Sequence, residues 1–345
     1  MIELANDELK FSFPDVHPDA ELTIEFQRTL RIPDDDQNYP LPPGLGSFPV
    51  QHVDDHAVNV PSKWLQHGGV MLPMFQSEAM WLNFDSMWVK DRDVSYPFAI
   101  KVAAGKQCAV SGESWVEGLV RNPQNYMIAP EQPWLDGFVV EKGCVRQFVA
   151  MPLGAGYSAE EQITGKAEHG GLQVAVYPMK RDVFERRYPK PKRRMRPGWD
   201  SLCQSMAPEM ACMAPDMGLA PGGRMKQEIY DDPYDLNDWQ IDAGGRCFVH
   251  LCNSMIWQSM TGSMPPHPAP TAKTYTNSGL PWFHYYDDSM TAVDGSPALA
   301  KLKSVAQLSA EKGDVALPEN ESVTPSNLVV CRKGLRKGQV REGVI

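Results

Sequence analysis

Hydrophobic and polar residues alternate with a period of two in several short stretches of this 345-residue chain. Two of these stretches lie near the start, at residues 8–14 and 21–32. Successive side chains of a β-strand point to opposite faces of a sheet, so the alternation predicts two strands that each bury one face. The segment 33–49, rich in Pro, Gly and Asp, predicts a loop after them.

More strands are predicted in the middle of the chain. Residues 96–105, which end at Gly105, predict one strand, and residues 171–179 predict another. The segment 137–154 contains two apolar runs on either side of a Glu-Lys-Gly turn. Gly143 can adopt the positive φ that a short connection needs, so this segment predicts a β-hairpin.

Helix signals are fewer. Ser158 and Glu161 have the spacing of a capping box, in which each side chain bonds the other residue's backbone at a helix N-terminus. Gly165 is placed to end that helix, and Gly68 is placed to end a single helical turn within 61–69. Later segments with strand-like patterns are 225–232, 246–257, 280–286 and 302–310. Residues 251–260, which overlap the second of these segments, could equally be a short helix.

Residues 180–222 differ in character from the rest. Within them, 180–196 holds nine basic and two acidic residues, and the remainder is rich in Met, Pro, Ala and Gly. We interpret 180–222 as a basic, Met/Pro-rich linker or excursion. It separates a strand-rich main body, 1–179, from a second strand-rich portion, 223–320, that packs on the first; residues 321–345 form a tail.

Short apolar runs interrupted by 30 Pro and 27 Gly favour sheets over long helices. We therefore predict an α+β fold made mainly of antiparallel β-sheet, in sandwich-like or barrel-like layers, with a few short helices.

Composition and charge narrow the class of protein. The chain has no apolar run long enough to span a bilayer and no secretory signal at its start, and its seven cysteines include no CxxC pair. We expect a soluble cytoplasmic protein with reduced thiols. The net charge of −10 argues against a nucleic-acid partner despite the basic segment.

The first group of candidate residues surrounds His169. Glu168 and His169 could act as acid–base partners, with Glu161 and Gln173 nearby in sequence, because imidazole titrates near neutral pH. Gly170 and Gly171 would let a ligand approach closely. The alternative is a polar turn between a helix and a strand, with Glu161 used in the helix cap.

The second group lies in two aromatic loops. One contains Trp134 and Asp136, and the other contains Trp282 and His284. Aromatic rings beside carboxylates bind sugars or cations, and Gln173 could contribute to such a ligand site. The alternative is that both loops close the end of a sheet by packing.

Metal-binding patterns are weak, and we favour no metal. His52 and His56 are four residues apart, a spacing that shares one helix face, but prolines flank them. A soft-ligand string that could bind Cu(I) contains Met206, Met210, Cys212 and Met213. A surface turn and a linker of low complexity account for the same residues.

Several longer strings resemble a family of soluble bacterial and fungal proteins that has no established activity. They include RTLRIPDDDQNYPLPPGLGSFPVQHVDD, FVAMPLGAGYSAEEQITGKAEHGGLQ and MGLAPGGRMKQEIYDDPYDLNDW, and together they span most of residues 25–305. The resemblance implies that both halves of the chain occur as one unit. It assigns a role to no residue.

These observations favour a non-catalytic intracellular binding or assembly protein. The alternative is a metal-dependent or small-molecule-dependent enzyme that uses Glu168 and His169. The sequence names no cofactor. The partner is an unknown small molecule or protein, which includes a second copy of the chain, and we expect no membrane partner.

Overall fold

The computed structural model describes residues 1–190, 216–286, 290–315 and 317–332. Its strands are β1 (Ile2–Ala5), β2 (Glu8–Ser12), β3 (Glu21–Thr29), β4 (Asn38–Tyr39), β5 (Gly44–Ser47), β6 (Gln51–His52), β7 (Val70–Met74), β8 (Ala79–Ser86), β9 (Trp88–Val89), β10 (Val94–Ser95), β11 (Phe98–Ala104), β12 (Gln107–Cys108), β13 (Met127–Ala129), β14 (Trp134–Leu135), β15 (Gly137–Glu141), β16 (Cys144–Pro152), β17 (Leu172–Pro178), β18 (Asp216–Lys226), β19 (Gly245–Asn253), β20 (Trp282–Tyr286) and β21 (Leu328–Arg332). The α-helices are α1 (Ser62–His67), α2 (Ala159–Thr164), α3 (Arg181–Arg187), α4 (Ser254–Thr261), α5 (Ala272–Asn277), α6 (Pro297–Ala300) and α7 (Val305–Lys312).

One sheet of 17 strands dominates the molecule. Its strand pairs are antiparallel except for β4 with β18 and β7 with β19, which run parallel. Two further sheets have two strands each: β9 with β10, and β20 with β21. The structure therefore confirms the predicted α+β fold, in which antiparallel sheet prevails and the helices are few and short.

Strands of this sheet bury either one face or both. In β3, Leu22, Ile24 and Phe26 are fully buried, and the residues between them are half-buried, as the alternation predicted. By contrast, every residue of β11 and of β17 is buried. A strand that is covered on both faces needs no alternation, and this explains why both sequences are mainly apolar, with Lys101 and Gln173 as their buried polar residues.

The capping box predicted at the start of α2 is present. Ser158 Oγ accepts a hydrogen bond from Glu161 N at 3.2 Å, and Glu161 Oε2 accepts one from Ser158 N at 3.1 Å. Gly165 ends the helix with φ +73°. The short helix α1 also ends at Gly68, as predicted.

The predicted linker requires correction at both of its described ends. Residues 181–187 form α3, and residues 216–222 belong to β18, the longest strand among the described residues. β18 pairs with β16 along almost its whole length and with β19 at its start. Residues 191–215 lie outside the described residues, so the nature of that stretch stays a prediction.

Glycines explain why this stretch of low complexity forms a strand. A Cβ on Gly222 would lie 2.5 Å from Val149 Cγ2, and one on Gly223 would lie 2.3 Å from the carbonyl oxygen of Pro33. The absence of side chains at these positions therefore lets β18 lie tightly against its neighbours. Strands from both predicted portions, 1–179 and 223–320, are hydrogen-bonded in the same sheet.

Three later predictions were wrong in whole or in part. Residues 302–310 were predicted as a strand, but most of them belong to α7, whose start has a capping box of Ser304 and Gln307. The strand predicted at 225–232 ends at Lys226. The segment 246–257 is strand as far as Asn253, whose side chain then caps α4, so the alternative prediction of a short helix within 251–260 is correct from residue 254 onward.

Two further observations bear on cellular context. In the described part of the chain, no helix combines the length and the apolar character that crossing a membrane requires. Four cysteines within the described ranges are free and buried: Cys108, Cys144, Cys247 and Cys252. The cytoplasmic location remains a prediction.

The contact at Gly223 gives a test of β18. We expect Gly223→Ala to lower the free energy of unfolding by about 2 kcal/mol or more, because the new methyl group meets the Pro33 carbonyl. In a linker the same change would leave stability unchanged or raise it slightly, since alanine restricts the unfolded chain. Urea denaturation of the two proteins distinguishes these signs.

Candidate functional site

The tripeptide His-Gly-Gly occurs twice, at residues 67–69 and 169–171. The first copy directly precedes β7 and the second directly precedes β17. Both strands pair with β19, one on each side, and both begin opposite the same residue: Val70 and Leu172 each face Val249. Two distant histidines are therefore brought to one point of the sheet.

Glycine is required at both approaches to β19. Gly69 has φ +88°, and a Cβ there would lie 2.2 Å from the carbonyl oxygen of Phe248. Gly171 has φ +53°, and a Cβ there would lie 2.4 Å from the carbonyl oxygen of Val249. The two backbones thus contact β19 at distances that any side chain would prevent. This close approach fixes where His67 and His169 stand.

Aromatic rings from β19 meet these histidines. Phe248 and His250 project from the same face, since they are two residues apart on a strand. The His67 ring stacks on Phe248 with centroids 4.7 Å apart and lies parallel to His250 at 6.1 Å. It also lies 6.0 Å from the His169 ring, at an interplanar angle of 16°.

A buried carboxylate holds His169. Glu160 Oε2 accepts hydrogen bonds from the backbone N–H groups of His169, at 3.0 Å, and Gly170, at 3.1 Å. Its Oε1 lies 2.6 Å from His169 Nδ1. Gly105 makes room for this carboxylate, because a Cβ there would lie 2.6 Å from Glu160 Oε2. The ring of His169 is therefore oriented by a carboxylate with its hydrogen bonds already made.

The residue that holds His169 is not one of those predicted. Glu161, one position later, is used in the cap of α2, as the alternative interpretation had it. Glu168 is exposed and pairs with Lys166 at 3.0 Å. Gln173 does lie beside the cluster: it is buried, and its Nε2 donates to the Gly105 carbonyl at 2.7 Å. The structure thus links Gln173 to the cluster through Gly105, which lies against Glu160, and leaves Glu161 and Glu168 outside.

Burial shifts the protonation of three groups around the cluster. It lowers the pKa of His250 to about 4, although the Gly68 carbonyl, 3.0 Å from Nε2, opposes the shift. It also lowers the pKa of His67. In Asp216, at the start of β18, burial raises the pKa to about 6. Burial therefore shifts all three groups toward their neutral forms.

An open cleft of about 340 Å³ borders the cluster. Side chains or backbone of His52, Asp54, His67, Gly69, Arg246 and Phe248 line it, together with residues of β1 and β2. Its volume lies within the range of about 300–1,000 Å³ that small-molecule sites occupy. We call this space the histidine cleft.

A second, larger cleft of about 600 Å³ lies beside α3. Its lining includes Asp15, Arg181, Asp182, Glu185 and Asp242, and none of these side chains is buried. Arg181 and Glu185 pair with each other at 3.0 Å across one turn of the helix. Four of these five side chains are acidic, and Arg181 pairs with one of them, so exposed negative charge is in excess here. The lining contains neither a histidine nor an aromatic ring, which are the groups that characterise the histidine cleft.

The two aromatic loops converge, but by packing. Trp134 meets Tyr285 edge to face, with ring centroids 4.8 Å apart. Trp282 is fully buried and donates from Nε1 to Thr276 Oγ1 at 3.2 Å. The space between the loops is about 20 Å³, enough for one water molecule. Gln173, which was grouped with these loops, belongs to the cluster around Glu160.

Two titratable groups in these loops have shifted pKa values. Asp136 is 4% exposed, and burial raises its pKa to about 7. Burial lowers the pKa of His284. Both shifts come chiefly from desolvation, which is the expected result of packing polar groups under aromatic rings.

The predicted metal ligands do not form a cluster in the part of the chain that the structure covers. His52 is exposed and lines the histidine cleft, whereas His56 lies in a short 3₁₀ turn. Met206, Met210, Cys212 and Met213 fall outside the described residues. Among those that are described, no group of three His, Cys, Asp or Glu side chains is arranged to hold a metal ion.

The repeated tripeptide was the available signal for this site. Within its first copy, Gly68 predicted a helix end, and the repeat itself is the one feature of the sequence that links the two segments. Comparisons of the chain with protein-family models, curated proteins and solved structures found no match. Fold and site thus define an α+β protein with a large, mainly antiparallel sheet and a histidine cleft on one face. Membership of the family that the sequence resembles stays a prediction.

The pKa of His250 predicts how stability depends on pH. The unfolded histidine binds a proton below about pH 6.5, but the folded one resists until about pH 4. Stability is therefore fully present above pH 6.5 and falls by about 3 kcal/mol as pH drops to 4. Asp216 acts in the opposite sense, because its raised pKa contributes stability at low pH that is lost as pH rises through about 6.

Urea denaturation at pH 7 and pH 4.5 isolates the His250 contribution. We expect His250→Gln to lose less stability than the wild type between these two pH values. The control is Cys247→Ala on the same strand: burial raises the pKa of Cys247 to about 11, so this thiol does not titrate in the range tested. An unchanged pH dependence in His250→Gln would contradict the assignment.

Proposed function

We propose that this protein binds a small molecule in the histidine cleft. The observation that carries the proposal is the convergence of both His-Gly-Gly segments on Val249, which places stacked rings beside a cleft of about 340 Å³. A small-molecule site commonly combines an aromatic wall with a few fixed polar groups. Phe248 and His67 supply the wall, and the cationic Arg246 lies 5.4 Å above the Phe248 ring.

Rigidity of the cleft supports binding. His67 is fixed at the end of α1, and the strand that follows it is held against β19 by parallel pairing from Val70 to Met74. Trp64 stacks on His250 at 4.8 Å behind the cleft. A site already in its bound shape loses little conformational entropy when the ligand enters. The free buried thiols support an intracellular setting, where cysteines stay reduced.

A thermal-shift screen of the full chain against a metabolite library tests the binding proposal. We expect at least one compound to raise the melting temperature in a concentration-dependent manner, because a ligand that binds only the folded state stabilises it. His67→Ala should weaken that compound about tenfold or more, since it removes part of the ring wall.

His52 and His56, which the sequence analysis gave as possible metal ligands, provide a matched pair of variants. His52 lines the cleft and His56 does not. We expect His52→Ala to change ligand affinity and His56→Ala to leave it unchanged. Equal affinity of all compounds for wild type and His67→Ala would refute binding at this cleft.

One observation favours a second function, acid–base catalysis. The 2.6 Å contact between Glu160 Oε1 and His169 Nδ1 fixes the orientation of the imidazole, so Nε2 is the nitrogen that would exchange a proton with a ligand. A carboxylate that orients a histidine in this way is a recurring device for a general base. The base would be His169 with Glu160 as its positioning residue, rather than the pair Glu168 and His169.

Proton transfer by His169 can be detected without knowing the reaction. Compounds that bind the cleft are incubated with the protein in deuterated water, and deuterium incorporation or turnover is followed by NMR and mass spectrometry. We expect His169→Gln to reduce the rate by roughly 10²–10⁴-fold while binding persists. Glu168→Gln, which changes the adjacent exposed carboxylate, serves as the control and should keep the wild-type rate. Equal loss in both variants, or no exchange in the wild type, would argue for binding alone.

A further inference from the structure

We infer that the ligand of the histidine cleft is an anion, a small carboxylate or phosphate compound, held by His67 and Arg246 in the lining, with Lys63 and Lys106 adding positive charge nearby. This inference rests on the proposed binding function and adds the chemical class of the ligand. It follows from where the cations of this acidic chain are placed.

The three cations come from three separate elements. Lys63 lies four residues before His67 on α1, so the two side chains share one face of the helix. Lys106 follows Gly105, whose N–H donates to the Gly171 carbonyl at 2.9 Å and so anchors this turn at the second His-Gly-Gly segment. Arg246 projects from β19 over the Phe248 ring, on which His67 stacks.

The local field at His67 is therefore positive, although the chain carries a net charge of −10. Within the described ranges, the groups that act most on the charge of His67 are His169, Lys63, Lys106 and Arg246. Each of them opposes protonation of His67 and adds to the effect of burial in lowering its pKa. A cluster of like charges around an open cleft favours a ligand of the opposite sign.

Carboxylates near the cluster act on other groups more than on His67. Glu160 accepts hydrogen bonds from two backbone N–H groups and lies against His169 Nδ1, so its charge is directed at the second His-Gly-Gly segment. At the rim, Asp54 and Glu3 line the cleft and are exposed to water, as Lys106 and Arg246 are, so water screens the charges of both signs. Within the described ranges, the groups that shift the pKa of His67 include these cations and no carboxylate.

Arg246 can exchange its present partner for a ligand at little cost. Its Nη1 lies 2.7 Å from Glu117 Oε1, and both side chains are largely exposed, at 42% and 76%. Exposed ion pairs of this kind contribute about 0–1 kcal/mol. A ligand anion that is partly desolvated on the Phe248 and His67 rings would bind the guanidinium more strongly than the exposed glutamate does.

Matched pairs of probes test the charge of the ligand. Benzoate is compared with benzamide, and phenyl phosphate with phenol, by calorimetry and by the imidazole NMR signals of His67 in the full chain. We expect each anion to bind at least about tenfold more tightly than its neutral partner and to shift the His67 signals. The two anions distinguish a carboxylate site from a phosphate site.

Two variants with matched controls locate the binding. Arg246→Gln should weaken anion binding about tenfold, whereas Arg224→Gln should not change it. Arg224 also pairs with a glutamate, Glu141, at 2.7 Å, but it lies at the far end of β18 from Asp216. Lys106→Gln and its control Lys90→Gln make the same comparison at two lysines that lie in turns, where we expect neither substitution to impair folding.

The outcomes separate the inference from the proposed function. Benzamide or phenol binding at His67 as tightly as its anionic partner overturns the anion inference and leaves the binding function intact. Anion binding that is equal in Arg246→Gln and Arg224→Gln also overturns it. If neither series binds, the inference is wrong, and the metabolite screen alone then decides whether the cleft binds anything.

Discussion

Close backbone contact on both sides of β19 is the constraint from which the rest of the site follows. Gly69 and Gly171 sit where a single methyl group would overlap the carbonyl oxygens of Phe248 and Val249. Because both strands must start at Val249, the histidines before them cannot stand elsewhere. The ring stack, the buried carboxylate and the cleft are consequences of that placement.

Two buried carboxylates, Glu160 and Asp232, each join separate parts of the chain. Glu160, on α2, holds the second His-Gly-Gly segment. Asp232 accepts hydrogen bonds from Tyr126 Oη at 2.6 Å and from Trp239 Nε1 at 3.0 Å, and so connects the main body with the later portion. Buried carboxylates are stable only when such donors surround them, so each of these contacts also specifies the fold.

Free volume distinguishes the histidine cleft from the aromatic loops. At the cleft, rings and charges border an open space, whereas Trp134, Tyr285 and Trp282 leave room for about one water molecule. Both regions contain aromatic residues beside acids in the sequence, so composition alone could not rank them. Free volume next to the side chains made the difference, and volume depends on how distant segments pack.

Local signals in the sequence determined what depends on neighbouring residues. Alternation predicted β2 and β3, the Ser158–Glu161 spacing predicted the start of α2, and Gly143 predicted the hairpin between β15 and β16. A period or a cap acts within a few residues, so it is visible in one segment of chain. The wrong strand prediction for 302–310 also concerned a local signal, because Ser304 and Gln307 have the spacing of a capping box.

Tertiary structure alone decided the partner of His169 and the path of β18. Glu160 rather than Glu161 faces the histidine because α2 uses the later carboxylate in its own cap and turns the earlier one inward. The Met- and Gly-rich start of β18 became a strand because its glycines fit against Val149 and Pro33, which lie far away in sequence. Which residues meet across the sheet is set by pairing between distant segments, and that information is not contained in any single stretch of the chain.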